Sequence, residues 1–152
     1  MSGVAFRTAT EADLDAILGL LADDPLGKYR ELKATDSKDI YINAFRAIAA
    51  DPNSEMWVAE QGGTIVGCLQ LTLIPGLTRQ GAWRALVESV RVASHLRGQG
   101  IGTSFMRHAI VLARERGAKL VQLTSDMRRA EAHRFYKALG FSQSHAGFKL
   151  EL

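Results

Sequence analysis

Three glycines at alternate positions, Gly98, Gly100 and Gly102, follow Arg97 and run into an apolar helical pattern. Glycine has no Cβ, so a ligand can approach its backbone closely, and successive N–H groups at a helix start form a concave, partly positive anion site. Arg97 adds a full charge beside it. The stretch Arg97-Gly98-Gln99-Gly100-Ile101-Gly102-Thr103 is therefore suited to hold phosphate. A dinucleotide loop would need G-x-G-x-x-G with an acid roughly 20 residues on; here the third glycine comes one residue early and the region around Gln122 offers no acid. A P-loop would need a lysine after its last glycine, where Thr103 stands.

Just upstream, residues 82–92 read as the central strand. Its alternation puts Leu86, Glu88, Val90 and Val92 on one face unless a bulge changes the phase. A carboxylate among apolar side chains is unusual, and burial would raise its pKa towards that of a useful general base. The alternative is a structural carboxylate paired with Arg84 or another cation. Cys68 is the only cysteine, which excludes an internal disulfide and a cysteine-based zinc site. In the apolar run Ile65-Val66-Gly67-Cys68-Leu69 it reads as a small buried hydrophobe rather than a nucleophile. The four histidines show no H-E-x-x-H or similar spacing, so no metal is expected.

The elements that must position these groups are legible from periodicity. Val4 to Ala9 alternates as a first strand. Thr10 is an N-cap for a helix carrying Leu14, Ile17, Leu18 and Leu21 on one face, which Asp23-Asp24-Pro25 ends. After a stretch of no clear period, a second helix spans about Asp36 to Ala50, with Tyr41, Ala44, Phe45 and Ile48 together. Two strands flank Gln61-Gly62-Gly63, a strong hairpin signal. The glycine loop opens a helix running through Thr103 to Arg116, with Gly117 as its C′ residue. A strand at Leu120 to Thr124, a helix at Arg129 to Leu139 and a closing strand at Phe148 to Leu152 complete the chain.

At 152 residues the chain suits one domain, 1–152, with neither linker nor repeat. Its 47% hydrophobic and 23% charged content is that of an ordinary globular protein. No run approaches the ~20 apolar residues a membrane crossing needs, and Met1 to Arg7 lacks the pattern of a signal peptide, so a cytoplasmic location is expected, with no membrane partner. Residues 1–90 carry 8 Lys/Arg against 12 Asp/Glu, whereas residues 91–152 carry 11 against 4. That basic second part suits an anionic cofactor, although solvated helix faces would give the same count. Nucleic acid is not the expected partner, because the strands lack interleaved aromatics and no recognition motif is present.

The segment R-x-x-G-x-G at Arg97–Gly102 resembles the acyl-CoA pyrophosphate loop of the GNAT N-acyltransferase superfamily. A second segment, Ala132-His133-Arg134-Phe135-Tyr136-Lys137-Ala138-Leu139-Gly140-Phe141, is similar to that superfamily's A-x-x-F-Y-x-x-L-G-F motif. The resemblance implies an α/β (α+β) fold with a mixed, mostly antiparallel sheet flanked by helices in the order β-α-α-β-β-β-α-β-α-β. It implies transfer of an acetyl group from acetyl-CoA to a primary amine by direct attack in a ternary complex, with a non-catalytic acyl-CoA sensor as the alternative. By the same resemblance, Glu88 is the candidate base and Tyr136 the general acid. Residues Arg97 to Thr103 take the pyrophosphate, and Val90 and Val92 offer backbone groups to the pantetheine arm, with a main-chain N–H near Val92 facing the thioester oxygen. Tyr29, Arg30, Tyr41 and Phe45 lie where the superfamily builds one wall of the acceptor site, with core packing as the favoured role of Tyr41 and Phe45 on the helix face. The acceptor is a small-molecule or peptide amine, and a homodimer is an expectation because dimers are frequent there. One residue departs from the pattern: Arg129 stands where many members have a cofactor-contacting Asn.

Overall fold

The computed structural model describes residues 3–24, 26–27 and 38–152; Tyr29 and Arg30 lie outside them. The chain divides into two compact units, the first ending at Gln122 and the second comprising Leu123–Leu152.

The first unit is built on a sheet in the order β1 (Val4–Thr8), β2 (Ser54–Gln61), β3 (Thr64–Ile74), β4 (Arg84–Val92) and β5 (Leu120–Gln122). The first four are antiparallel neighbours, and β5 runs parallel to β4. Gly62 and Gly63 turn the β2–β3 hairpin with both φ values positive, 57° and 79°, as a two-residue turn twisted to match its strands requires.

Helices α1 (Leu14–Ala22) and α2 (Asp39–Ala50) cover one face of the sheet. There Leu14, Ile17, Leu20 and Phe45 pack with Met56, Val58 and Cys68, and Tyr41 and Ile48 lie against the same cluster. The tip between β3 and β4 is α3 (Thr78–Gly81), a single turn in which Arg79, Gln80 and Gly81 all have positive φ. Helix α4 (Ile101–Glu115) covers the opposite face. Its Phe105 stacks on Phe6 at 4.8 Å, and its His108 fits between Phe6 and Trp57. Gly67 lies under this helix, where a Cβ would stand 3.0 Å from the Arg91 carbonyl oxygen and 3.3 Å from Ala59, so a larger residue would have to push the β4 backbone aside by a few tenths of an ångström.

The second unit contains α5 (Ala130–Ala138), which closes with Gly140 at φ 100° as its C′ residue. Its later residues depart from expectation: Phe148–Leu152 forms no strand, and Phe148, Leu150 and Leu152 are exposed. Alternation marks a segment able to pair, but a strand exists only where a neighbour supplies N–H and C=O partners. No described helix is long and apolar enough to cross a membrane.

Candidate functional site

Strand β4 carries a bulge at its centre. Gln70 pairs with Glu88 and Cys68 with Arg91, so two β4 residues, Ser89 and Val90, stand opposite the single Leu69. Ser89 adopts φ 56°, the left-handed region that a non-glycine residue rarely enters. The bulge reverses the phase of the strand. Leu86 and Glu88 share a face with Arg91 on the α1/α2 side, whereas Val92 shares the opposite face with Ala85 and Val87. The unbroken face of Leu86, Glu88, Val90 and Val92 is thus replaced by one that changes sides.

Glu88 departs from the expectation in a second way. It is exposed rather than buried among apolar side chains, so burial is not what would make it a base. Nor is it paired with Arg84: among the described residues its side chain makes no ion pair or hydrogen bond, and it faces the sheet side covered by α1 and α2 opposite Gln70.

The bulge also sets the backbone at Val92. The Ala93 N–H donates to the Val66 carbonyl oxygen at 2.8 Å. Hydrogen-bonded and non-hydrogen-bonded pairs alternate along an antiparallel ladder. Val92, opposite Gly67, is therefore in a non-hydrogen-bonded pair, and its N–H faces away from β3. On that outer side β5 meets β4 at Arg84, Ala85 and Leu86. Among the described residues no strand continues along β4 from Val87 to Val92.

The outer edge leads into the glycine loop. After a 3-10 turn at Ser94–Leu96, Gly98 and Gly100 hold φ of 81° and 85°, and no heavy atom lies within 4 Å of where a Cβ on either would stand. Gly100 caps α4, whose first α-helical hydrogen bond runs from the Ser104 N–H to the Gly100 carbonyl oxygen at 3.0 Å. The N–H groups of Ile101, Gly102 and Thr103 precede that bond and have no acceptor within the helix. Gln99 is exposed, while the Ile101 side chain is buried, so its contribution to an anion is through the main chain. Arg97 donates from Nε to the Val92 carbonyl oxygen at 3.3 Å and from Nη2 to the Asp23 carbonyl oxygen at 3.2 Å, which ties the loop to β4 and to the end of α1. These donors and the open space above the glycines suit a phosphate-bearing ligand.

Cys68 is buried beside the bulge, and burial pushes its thiol up to about 12, so it is no nucleophile at neutral pH. Its Sγ donates to the Ser89 carbonyl oxygen at 3.5 Å. In the second unit, Tyr136 lies half-buried on α5 with its ring edge-on to Phe135 at 5.1 Å and Phe141 at 5.9 Å. Arg129 is the N-cap of α5 and takes part in that helix start through its backbone. Phe45 is buried in the core under α2 and Tyr41 packs beside it.

Sequence reasoning missed three residues of this region. Ser89 supplies the bulge, and Asp24 and Arg91 form an ion pair at 3.3 Å beneath it. The one available signal was Arg91 itself, a cation between two valines of a strand.

Residues 15–141 match the model of the acetyltransferase (GNAT) family. The chain is 31% identical to an aminoalkylphosphonate N-acetyltransferase of Salmonella typhimurium, over 93% of this chain and 87% of that protein. Among solved structures it is similar to one of a transcriptional regulator from Bacillus halodurans, with 48% identity, a TM-score of 0.95 and coverage of 99% of this chain and 100% of the other. It is also similar to a putative acetyltransferase from Agrobacterium tumefaciens, with 29% identity, a TM-score of 0.80 and coverage of 97% and 99%.

Proposed function

This chain belongs to the acetyltransferase (GNAT) family, and from that premise we propose that it moves the acetyl group of acetyl-CoA to a small primary amine by direct attack in a ternary complex. The observation that carries the reading is the outer edge of β4 from Val87 to Val92, along which no described strand continues, running into the donor-rich start of α4. In it, Arg97 and the N–H groups from Gly98 to Thr103 hold the pyrophosphate, Val90 and Val92 pair with the pantetheine arm as with another strand, and the outward Val92 N–H donates to the thioester oxygen as charge builds there. Glu88, through water, takes the proton that leaves the amine nitrogen as its bond to the acetyl carbon forms. Tyr136 gives a proton to the CoA sulfur as the carbon–sulfur bond breaks. Exposure suits Glu88 to work through water.

The amine's class is supported by the Salmonella relative, whose acceptor is by its name an aminoalkylphosphonate. The reading treats 1–152 as one catalytic domain, since the family match runs across both units, and sets the enzyme in the cytoplasm. It includes a homodimer: Phe148, Leu150 and Leu152 are exposed and alternate with Lys149 and Glu151. Antiparallel pairing of two copies about Leu150 would set each Lys149 across from the other's Glu151.

The test is thiol release from acetyl-CoA across a panel of aminoalkylphosphonates, polyamines, aminoglycosides, amino acids and peptides. Acceptor-dependent release is expected, with the small amines strongest. No release beside intact acetyl-CoA binding would favour a second reading as an acyl-CoA sensor, for which the Bacillus halodurans regulator is the supporting likeness.

A further inference from the structure

At the end of α1, two consecutive acidic residues hold two arginines by different means. The Asp23 backbone carbonyl accepts from Arg97 Nη2 at 3.2 Å, and the Asp24 carboxylate meets Arg91 at 3.3 Å from Oδ2 to Nε. The Asp24 side chain is 3% exposed and that of Arg91 17%. Asp24 Oδ1 also accepts the Leu26 N–H at 2.9 Å, and a Cβ on Gly27 would come within 2.6 Å of Oδ2, so the carboxylate is packed in place from the α1 side.

On the strand side, Arg91 Nη1 donates to the Val90 carbonyl oxygen at 2.9 Å, while Cys68 Sγ donates to that of Ser89. Both carbonyls of the bulge are therefore met by side chains. A non-glycine residue at φ 56° is strained and persists only where its surroundings over-determine it. A buried ion pair adds little net stability over apolar residues of the same volume, but it fixes two groups relative to each other. We propose that Asp24 and Arg91 are positioning residues: their ion pair holds the Ser89–Val90 bulge against the end of α1 and so aims the Val92 N–H outward along the free edge of β4.

The inference rests on the acetyl transfer proposed above, because the outward N–H matters most if it meets charge that develops only during transfer. Removing one partner should then lower kcat more than it weakens acetyl-CoA binding. The experiment compares Asp24→Asn and Arg91→Lys with the unaltered full chain. It reads kcat, KM for acetyl-CoA, melting temperature and NMR amide exchange from Ser89 to Ala93 in the ligand-free protein. Expected for Asp24→Asn are a kcat lowered ~10-fold or more, a KM within ~3-fold, and amide exchange at Arg91 and Ala93, whose N–H groups face β3, accelerated ~10-fold. Arg91→Lys keeps the charge but not the planar fork, so it should fall between, and it carries the test if Asp24→Asn fails to fold. A folded variant with a lower melting temperature but unchanged kcat overturns the proposal, as does unchanged exchange at Arg91 and Ala93. If the unaltered chain acetylates no amine, the proposed transfer fails separately, and the exchange measurement alone decides whether the pair holds the bulge.

Discussion

Gly98 and Gly100 occupy a backbone conformation in which a Cβ costs roughly 1–2 kcal/mol, and the space their missing side chains leave is open. A residue placed there meets no neighbour to clash with, so the penalty to folding is the backbone strain alone. A ligand on the α4 N–H groups would meet the new Cβ directly. Gly100→Ala should therefore lower stability by about 1 kcal/mol in urea melts while weakening acetyl-CoA binding ~10-fold or more by calorimetry. Unaltered affinity in that variant would take the loop out of the cofactor site. Ser89 is the counterpart within a strand: it sits at φ 56° with its carbonyl held by Cys68, and its one left-handed residue turns β4 over between Glu88 and Arg91. The Cys68 side chain thus does more than fill space, although the sequence alone made it a small hydrophobe.

The elements are held in place by a few charged joints. At the start of α1, the Asp13 carboxylate accepts from Arg7 at 2.8 and 2.9 Å and from the Thr10 N–H at 2.8 Å, and Arg7 in turn donates to Glu60 at 3.1 Å. The Arg7 hydrogen bonds, ahead of the opposing effect of burial, lower the Asp13 carboxyl to about 2. A depressed carboxyl stabilises the fold above the unfolded value near 3.8, and that stabilisation is lost as the pH falls through about 2. Arg7 is 38% exposed, so screening leaves about 1–2 kcal/mol. Asp13→Asn should remove this increment at neutral pH and flatten the acid limb of stability between about pH 4 and pH 2, as read by urea melts across that range. The joint links β1, β2 and the α1 start, and the Asp24–Arg91 pair links the other end of α1 to β4. Helix α1 is thereby pinned at one end to β1 and β2 and at the other to β4, the strand that carries the site.

At the scale of the whole molecule, the exposed apolar alternation from Phe148 to Leu152 carries the proposed pairing of two copies. The unaltered chain should run as a dimer in light scattering coupled to size exclusion, and Leu150→Lys should shift it towards monomer, since two like charges would then face each other on the two-fold axis. A monomer at micromolar concentration for the unaltered chain would end that part of the reading.

Much of this protein follows from sequence because its signals are local. The i, i+3, i+4 spacing of Leu14, Ile17 and Leu18, the Gly62-Gly63 turn, and Gly117 and Gly140 after their helices each act through a few neighbouring residues, and each stands where it was expected. The Arg97–Gly102 and Phe135–Phe141 segments likewise pointed to the family on residue types alone, and the family match bears that out. What tertiary structure decided is the phase of β4, the exposure of Glu88 and the partners of Arg91. A bulge is set by the register between two strands distant in sequence, and a buried ion pair by how a helix end meets a strand. No period in the chain encodes either, so Ser89, Asp24 and Arg91 acquire their roles only when α1, β3 and β4 pack together.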